Sequence, residues 1–144
     1  QHGGPSRMMH LLGWFNIAAD GLAVTFRELA EAATVEVFER TTDGYTHVDS
    51  PTLWEFLTGR DFDVVEADWS ERWPTNFVAV DDGEIIPLYE PDEDGAYRPA
   101  NNPTIEALKA YGVDVHPGGT GLPNGPLTNG AGGFHCMTTP VSRG

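Results

Sequence analysis

Two Asp-Gly turns, each lying between short apolar segments, constrain the fold of this chain more than any other feature. Asp20-Gly21 separates the segment 10–17 from the segment 22–26, and Asp82-Gly83 separates 77–80 from 84–88. A short Asp-Gly connection between apolar runs of this length is typical of a β-hairpin. The two turns therefore predict two hairpins, each of which starts a unit of similar organisation.

Helical and strand segments follow each predicted hairpin in the same order. Helices are predicted at 27–33, at 51–57 with Ser50 as N-cap and Gly59 as end, and at 104–111 after Asn102-Pro103. Further strands are predicted at 35–38, 62–66, 113–115 and 134–138. The order strand–strand–helix–strand thus occurs twice before a closing strand, which indicates an α/β protein. We expect a mobile surface insertion at 90–99 and a functional glycine-rich loop at 117–133.

Composition and charge exclude several classes of function. The 144 residues suffice for one domain with a core, and the net charge of −14 opposes binding to nucleic acid or to anionic membranes. No apolar run is long enough to span a bilayer. A lone cysteine forms no internal disulfide, so we expect a reducing, cytoplasmic compartment. Neither metal-ligand spacing nor a phosphate or dinucleotide motif is present, so neither a metal nor a cofactor is expected.

The single cysteine, Cys136, follows a run of glycines that includes Gly132 and Gly133. A lone cysteine is commonly a small buried apolar side chain. The alternative is a nucleophile, with the glycines allowing the backbone to approach a substrate closely. A thiolate needs a cationic or hydrogen-bonding neighbour, but on a strand the adjacent His135 would point to the opposite face.

The partner of the cysteine is therefore expected elsewhere in the chain. His10 opens an apolar segment, and it is either this partner or a structural histidine at the end of a strand. His2, His47 and His116 lie in loop-like surroundings and are expected at the surface.

Three segments resemble motifs of the guanidino-modifying (pentein) superfamily, which includes arginine and agmatine deiminases, dimethylarginine dimethylaminohydrolases and amidinotransferases. The segment 4–17, with Met-His-Leu-Leu and Phe-Asn-Ile, resembles the histidine motif, and Gly-Ala-Gly-Gly-Phe-His-Cys-Met-Thr at 130–138 resembles the terminal cysteine motif. Trp-Pro-Thr-Asn-Phe-Val at 73–78, with Ile-Pro-Leu-Tyr at 86–89, resembles an Asn-containing strand pair. The three occur in the order found in the superfamily.

This resemblance implies a five-bladed α/β propeller built from ββαβ modules. Residues 1–144 would form the C-terminal portion of one catalytic propeller domain, comprising about two modules and the closing strand. By the same resemblance, Cys136 attacks a guanidinium carbon and His10 acts as general acid and base. Asn76, Trp73, Gly132 and Gly133 are then expected to bind the substrate. The alternative for Asn76 and Trp73 is a turn residue and a core residue.

Two departures from the superfamily pattern bear on function. Arginine and agmatine deiminases carry an acid two residues after the histidine, where this chain has Leu12. That difference favours enzymes of the dimethylarginine hydrolase kind. The carboxylates that hold the guanidinium lie largely in the first half of the propeller, so a second chain supplying that half is expected, the alternative being that only this portion was retained.

The sequence thus predicts a cysteine-dependent hydrolase of arginine or an arginine derivative that works through a covalent intermediate. The alternatives are an amidinotransferase and a non-catalytic, arginine-binding subunit.

Overall fold

The computed structural model describes residues 10–91, 97–99, 102–117 and 133–139, and its backbone folds into two ββαβ units. The first unit contains β1 (Phe15–Ala19), β2 (Leu22–Thr25), α1 (Arg27–Ala32), β3 (Val37–Thr41), β4 (Gly44–Asp49), α2 (Leu53–Thr58) and β5 (Asp63–Glu66). Its sheet has the order β1-β2-β5, with β1 antiparallel and β5 parallel to β2. The strands β3 and β4 form a separate hairpin between α1 and α2.

The second unit has the same sheet topology. It contains β6 (Val78–Asp81), β7 (Glu84–Ile86), β8 (Tyr89–Pro91), β9 (Tyr97–Pro99), α3 (Pro103–Ala110) and β10 (Asp114–Val115). Its sheet has the order β10-β7-β6, with β6 antiparallel and β10 parallel to β7. These elements agree with the predicted α/β class. Both units contain a hairpin, a helix and a parallel third strand, but in the first unit this third strand is β5 and not the predicted strand 35–38.

The two Asp-Gly turns occupy equivalent positions in the two units. Gly21 and Gly83 both adopt left-handed backbone angles, with φ of 69° and 71°, which glycine adopts without a steric cost. The carbonyl of Gly21 accepts from the N–H of Asp63 at 2.8 Å, and that of Gly83 accepts from Asp114 at 2.7 Å. Each turn therefore pairs its hairpin with the parallel third strand in the same way.

One hydrophobic core joins the units. It consists of Ala18, Leu22, Val24, Phe26, Val65, Ala67, Phe77, Ile85, Ile105, Leu108 and Val113, all buried. Complete burial of a large apolar side chain contributes roughly 1.5–3 kcal/mol, so this cluster is the main stabilising feature of the fold. The units consequently form one packed body, and residues from both can contribute to a single site.

Three of the predicted features away from the candidate site differ in the structure. The N-cap of α2 is Thr52 and not Ser50, because the Thr52 side chain and Glu55 form a reciprocal capping box. The strand predicted at 35–38 begins at Val37 in the structure and pairs with β4 across a turn at Asp43. This hairpin was not predicted, because its strands are exposed and lack apolar alternation. The ends of the predicted insertion 90–99 pair as β8 and β9, whereas residues 92–96 lie outside the described part.

Two strands predicted next to the candidate site are replaced, one in part and one wholly, by 3-10 turns. Leu11–Gly13 replaces the start of the strand predicted at 10–17, and His135–Met137 replaces the closing strand at 134–138. A short apolar run does not distinguish a strand from a turn that is packed against the protein, which explains both errors. In the described residues, no helix is long and apolar enough to cross a membrane.

Candidate active site around Cys136

Cys136 lies in the 3-10 turn His135–Met137, which we call the Cys136 turn, and its side chain is exposed. The thiol is therefore not packed in the core, which contradicts the interpretation of Cys136 as a small buried apolar side chain. Because the segment is a turn, the strand argument that placed His135 on the opposite face does not apply.

A single buried side chain, Asn76, holds the Cys136 turn. Its Nδ2 donates to the sulfur of Cys136 at 3.1 Å, and its Oδ1 accepts from the backbone N–H of His135 at 3.0 Å. A backbone N–H can only donate, so this contact requires the carbonyl oxygen of the amide on the His135 side and its NH₂ on the sulfur side. The solvent-exposed fraction of Asn76 is 0%.

The same carboxamide reaches the turn that carries His10. His10 precedes the 3-10 turn Leu11–Gly13, and its carbonyl accepts from the N–H of Gly13 at 2.9 Å; we call residues 10–13 the His10 turn. The carbonyl of Leu12 in this turn accepts from Nδ2 of Asn76 at 3.5 Å and from Oγ1 of Thr75 at 3.0 Å. The side chain of Asn76 therefore contacts both the His10 turn and the Cys136 turn, and the adjacent Thr75 also binds the His10 turn.

A strained turn and a buried side chain of β1 place Asn76. Trp73 is 9% exposed and has a φ of 52°, a left-handed value that costs a non-glycine residue on the order of 1–3 kcal/mol. Its carbonyl accepts from the N–H of Asn76 at 3.0 Å. On the other side, Asn16 donates to the carbonyls of Thr75 at 2.8 Å and Phe77 at 2.9 Å. Asn76 is thus held by contacts from both units.

The backbone of Gly133 lies close to the side chain of Asn76. A Cβ added at Gly133 would lie 2.6 Å from Oδ1 and 2.7 Å from Cγ of Asn76, closer than real Cβ contacts occur. Only glycine fits against the buried carboxamide here. Gly132, the other glycine predicted at the site, lies outside the described residues.

The structure therefore brings together Cys136, Asn76 and Gly133, with Trp73 in the adjoining turn and His10 on the neighbouring turn. His10 is exposed, and its side chain makes no capping hydrogen bond. The catalytic roles of Cys136 and His10, and the substrate-binding roles of the other residues, stay predictions.

Two further histidines pair with surface carboxylates. Nε2 of His47 lies 2.7 Å from Glu36, and Nε2 of His116 lies 3.4 Å from Glu84, each with about half of the side chain exposed. Their predicted surface location is confirmed, whereas His2 lies outside the described residues.

Sequence reasoning missed one buried carboxylate, Glu71. It is 6% exposed and accepts hydrogen bonds from the N–H and the hydroxyl of Thr104, at 3.1 Å and 2.8 Å. The N–H groups in the first turn of a helix have no acceptor within the helix, and the negative charge of Glu71 stabilises this end of α3. Within the described ranges, no group of three or more histidine, cysteine or acidic side chains could hold a metal ion.

The two ββαβ units and the thiol site are compatible with the guanidino-modifying superfamily indicated by the motifs. No protein-family model matches the chain. The chain is, however, 33% identical over 154 aligned positions to a protein named arginine deiminase from Halobacterium salinarum (strain ATCC 29341 / DSM 671 / R1), and the alignment covers 94% of the chain. The chain spans about a third of that relative, 31% of its length. This similarity agrees with the resemblance that the three sequence motifs indicate.

Proposed function

We propose that this chain provides the nucleophile-bearing part of a guanidino-group hydrolase whose substrate is arginine. The observation that carries the proposal is the exposed Cys136 thiol, held by buried Asn76 beside the turn of His10. The name of the Halobacterium relative favours arginine over the substituted arginines that Leu12 suggested. The name of that relative gives no support to amidino transfer.

The proposed reaction divides into two steps at the guanidinium carbon. The Cys136 thiolate forms an S–C bond, and one C–N bond breaks as His10 gives a proton to the leaving ammonia. A water molecule then attacks the same carbon while His10 takes a proton from it. The S–C bond breaks, and citrulline leaves. Arginine and water are consumed, and citrulline and ammonia are formed.

A bound guanidinium cation needs an opposing charge, because burying an unpaired cation is costly. Glu71, a buried carboxylate of the described residues, already caps α3. We propose that the carboxylates holding the substrate belong to polypeptide beyond these residues, in a second chain that completes the propeller. Intact-mass measurement of the native material tests this point, and one longer species throughout would contradict a separate second chain.

The net charge of −14 favours attraction of a cationic substrate.

Turnover of arginine by the native protein tests the proposed reaction. Citrulline is expected with arginine, no longer detectable in Cys136→Ser and strongly reduced in His10→Gln. His116→Gln is the matched control, since it changes an exposed histidine in a surface ion pair and should leave the rate unchanged. Dimethylarginine and agmatine are tested in parallel, and glycine is added as an acceptor. Unchanged turnover in Cys136→Ser would end the assignment, and ornithine formed only with glycine would identify a transferase.

A further inference from the structure

We propose that Asn76 is a positioning residue whose carboxamide sets the Cys136 thiol in a fixed relation to the His10 turn. This inference rests on the proposed function, in which Cys136 is the nucleophile. It replaces the substrate-binding role predicted for Asn76 with a role exerted through other residues.

The partners of the Asn76 side chain are all remote in sequence. The hydrogen bonds to Leu12, His135 and Cys136 span 64, 59 and 60 positions. An asparagine that only stabilises its own turn would bond to neighbouring backbone groups. Here the donor and the acceptor of one amide both bind the segments that carry the proposed catalytic residues.

Burial makes this arrangement specific for asparagine. With 0% of Asn76 exposed, water cannot replace a lost partner, so each group left unpaired costs stability. Aspartate, which has the same shape, would keep an acceptor for the His135 N–H but would lose the donor facing the sulfur. When the sulfur carries the negative charge needed for attack, that N–H is its hydrogen-bond donor.

Two further features maintain the position of Asn76. The backbone at Trp73 stays in a left-handed conformation, which persists only where surrounding contacts impose it. Gly133 lies so close to the carboxamide that any side chain there would push the Cys136 turn away from Asn76. Strain on one side and close approach on the other leave the carboxamide little freedom.

The test measures the reactivity of the thiol without turnover. Native protein, with any accompanying chain, is treated with iodoacetamide at about pH 7, and alkylation of Cys136 is followed by mass spectrometry of the tryptic peptide 110–143. In Asn76→Asp we expect the rate to fall at least about tenfold, equivalent to about 1.4 kcal/mol. The matched control is Asn102→Asp at the N-cap of α3, where both residues cap equally well, and its rate should stay within about twofold.

A second variant approaches the same contact from the other side. Gly133→Ala keeps Asn76 but displaces the Cys136 turn, and it should lower the alkylation rate by a comparable factor. If circular dichroism shows that Asn76→Asp does not fold, the alkylation rate of Gly133→Ala tests the proposal by itself. Wild-type alkylation rates in the folded variants would overturn the proposal.

Kinetics with arginine separate the two roles considered for Asn76. A positioning residue lowers kcat and leaves KM unchanged, whereas a substrate-binding residue raises KM. A rise in KM with kcat unchanged would therefore restore the binding role. Absence of citrulline from the wild type would refute the proposed function, while the alkylation rates would still report on Asn76.

Discussion

Asn16 joins the two ββαβ units through one buried side chain. It lies on β1, is 8% exposed, and donates to the carbonyls on both sides of Asn76, those of Thr75 and Phe77. Replacing it should loosen the contact between the units and, with it, the anchoring of the candidate site.

The structure allows the size of the effect to be worked out. Asn16→Ala removes the side-chain hydrogen bonds to the carbonyls of Thr75 and Phe77, two residues that are 0% and 1% exposed. Loss of the partner of a buried polar group costs roughly 1–3 kcal/mol, so for two hydrogen bonds we expect a loss of about 2–6 kcal/mol in the free energy of unfolding.

Asn16→Asp should cost more than Asn16→Ala at neutral pH. It keeps an acceptor for the N–H of Ile17 but places a second carboxylate oxygen opposite the two carbonyl oxygens, and burial raises the pKa of such a group. The protonated acid can donate one hydrogen bond to a carbonyl, whereas the ionised form can donate none. Because the pKa is higher in the folded state, stability is retained at low pH and lost as the pH rises through that value.

Urea unfolding followed by circular dichroism, at about pH 7 and about pH 5, checks this order of stabilities. Asn102→Asp is the control, because at a helix N-cap the same chemical change keeps the acceptor for Ile105. If Asn16→Asp were as stable as Asn16→Ala at the higher pH, the assigned role of the two donors would be refuted.

Three further predictions concern stability. Leu108→Ala, at a fully buried core position, should lower the free energy of unfolding by about 3 kcal/mol, whereas Leu11→Ala, at an exposed leucine, should change it by less than about 0.5 kcal/mol; equal losses in urea unfolding would contradict the assigned core. Thr52→Ala should cost about 1 kcal/mol through loss of the α2 cap, and Thr52→Ser, which keeps the hydroxyl, should cost much less by the same measurement. Hydrogen bonds from the backbone and then the side chain of Thr52 lower the pKa of Glu55. Their stabilising effect is complete above the usual Glu range and is lost as the pH falls below that range through the lowered pKa. Thermal melting should show a weaker acid-induced loss of stability in Glu55→Gln than in the wild type, and parallel pH curves would argue against this linkage.

Local chemistry predicted much of the fold. The Asp-Gly turns at Gly21 and Gly83 marked two hairpins, and Asn102 with Pro103 marked the start of α3, because caps and turns depend on residues adjacent in sequence. The signal for the β3–β4 hairpin was also present at Asp43-Gly44. It lacked apolar flanks, because that hairpin lies exposed outside the core.

Local chemistry predicted less at the start of α2 and at the candidate site, because the outcome there depends on which groups come into contact. The choice between Ser50 and Thr52 as N-cap depended on which side chain reaches Glu55, and the strands expected at 10–17 and 134–138 proved to contain turns. A short apolar run becomes a strand only when a partner strand is available, and composition does not report that partner.

The residue types of the site, a lone cysteine after glycines and a histidine opening an apolar segment, were determined by the sequence alone, as were the two units that carry them. The tertiary structure decided how these residues are related. It turned Asn76 into the common partner of the Cys136 turn and the His10 turn, and it made Gly133 necessary for that contact. The physical reason is distance along the chain: hydrogen bonds that span about sixty positions form only after the two units pack around one core.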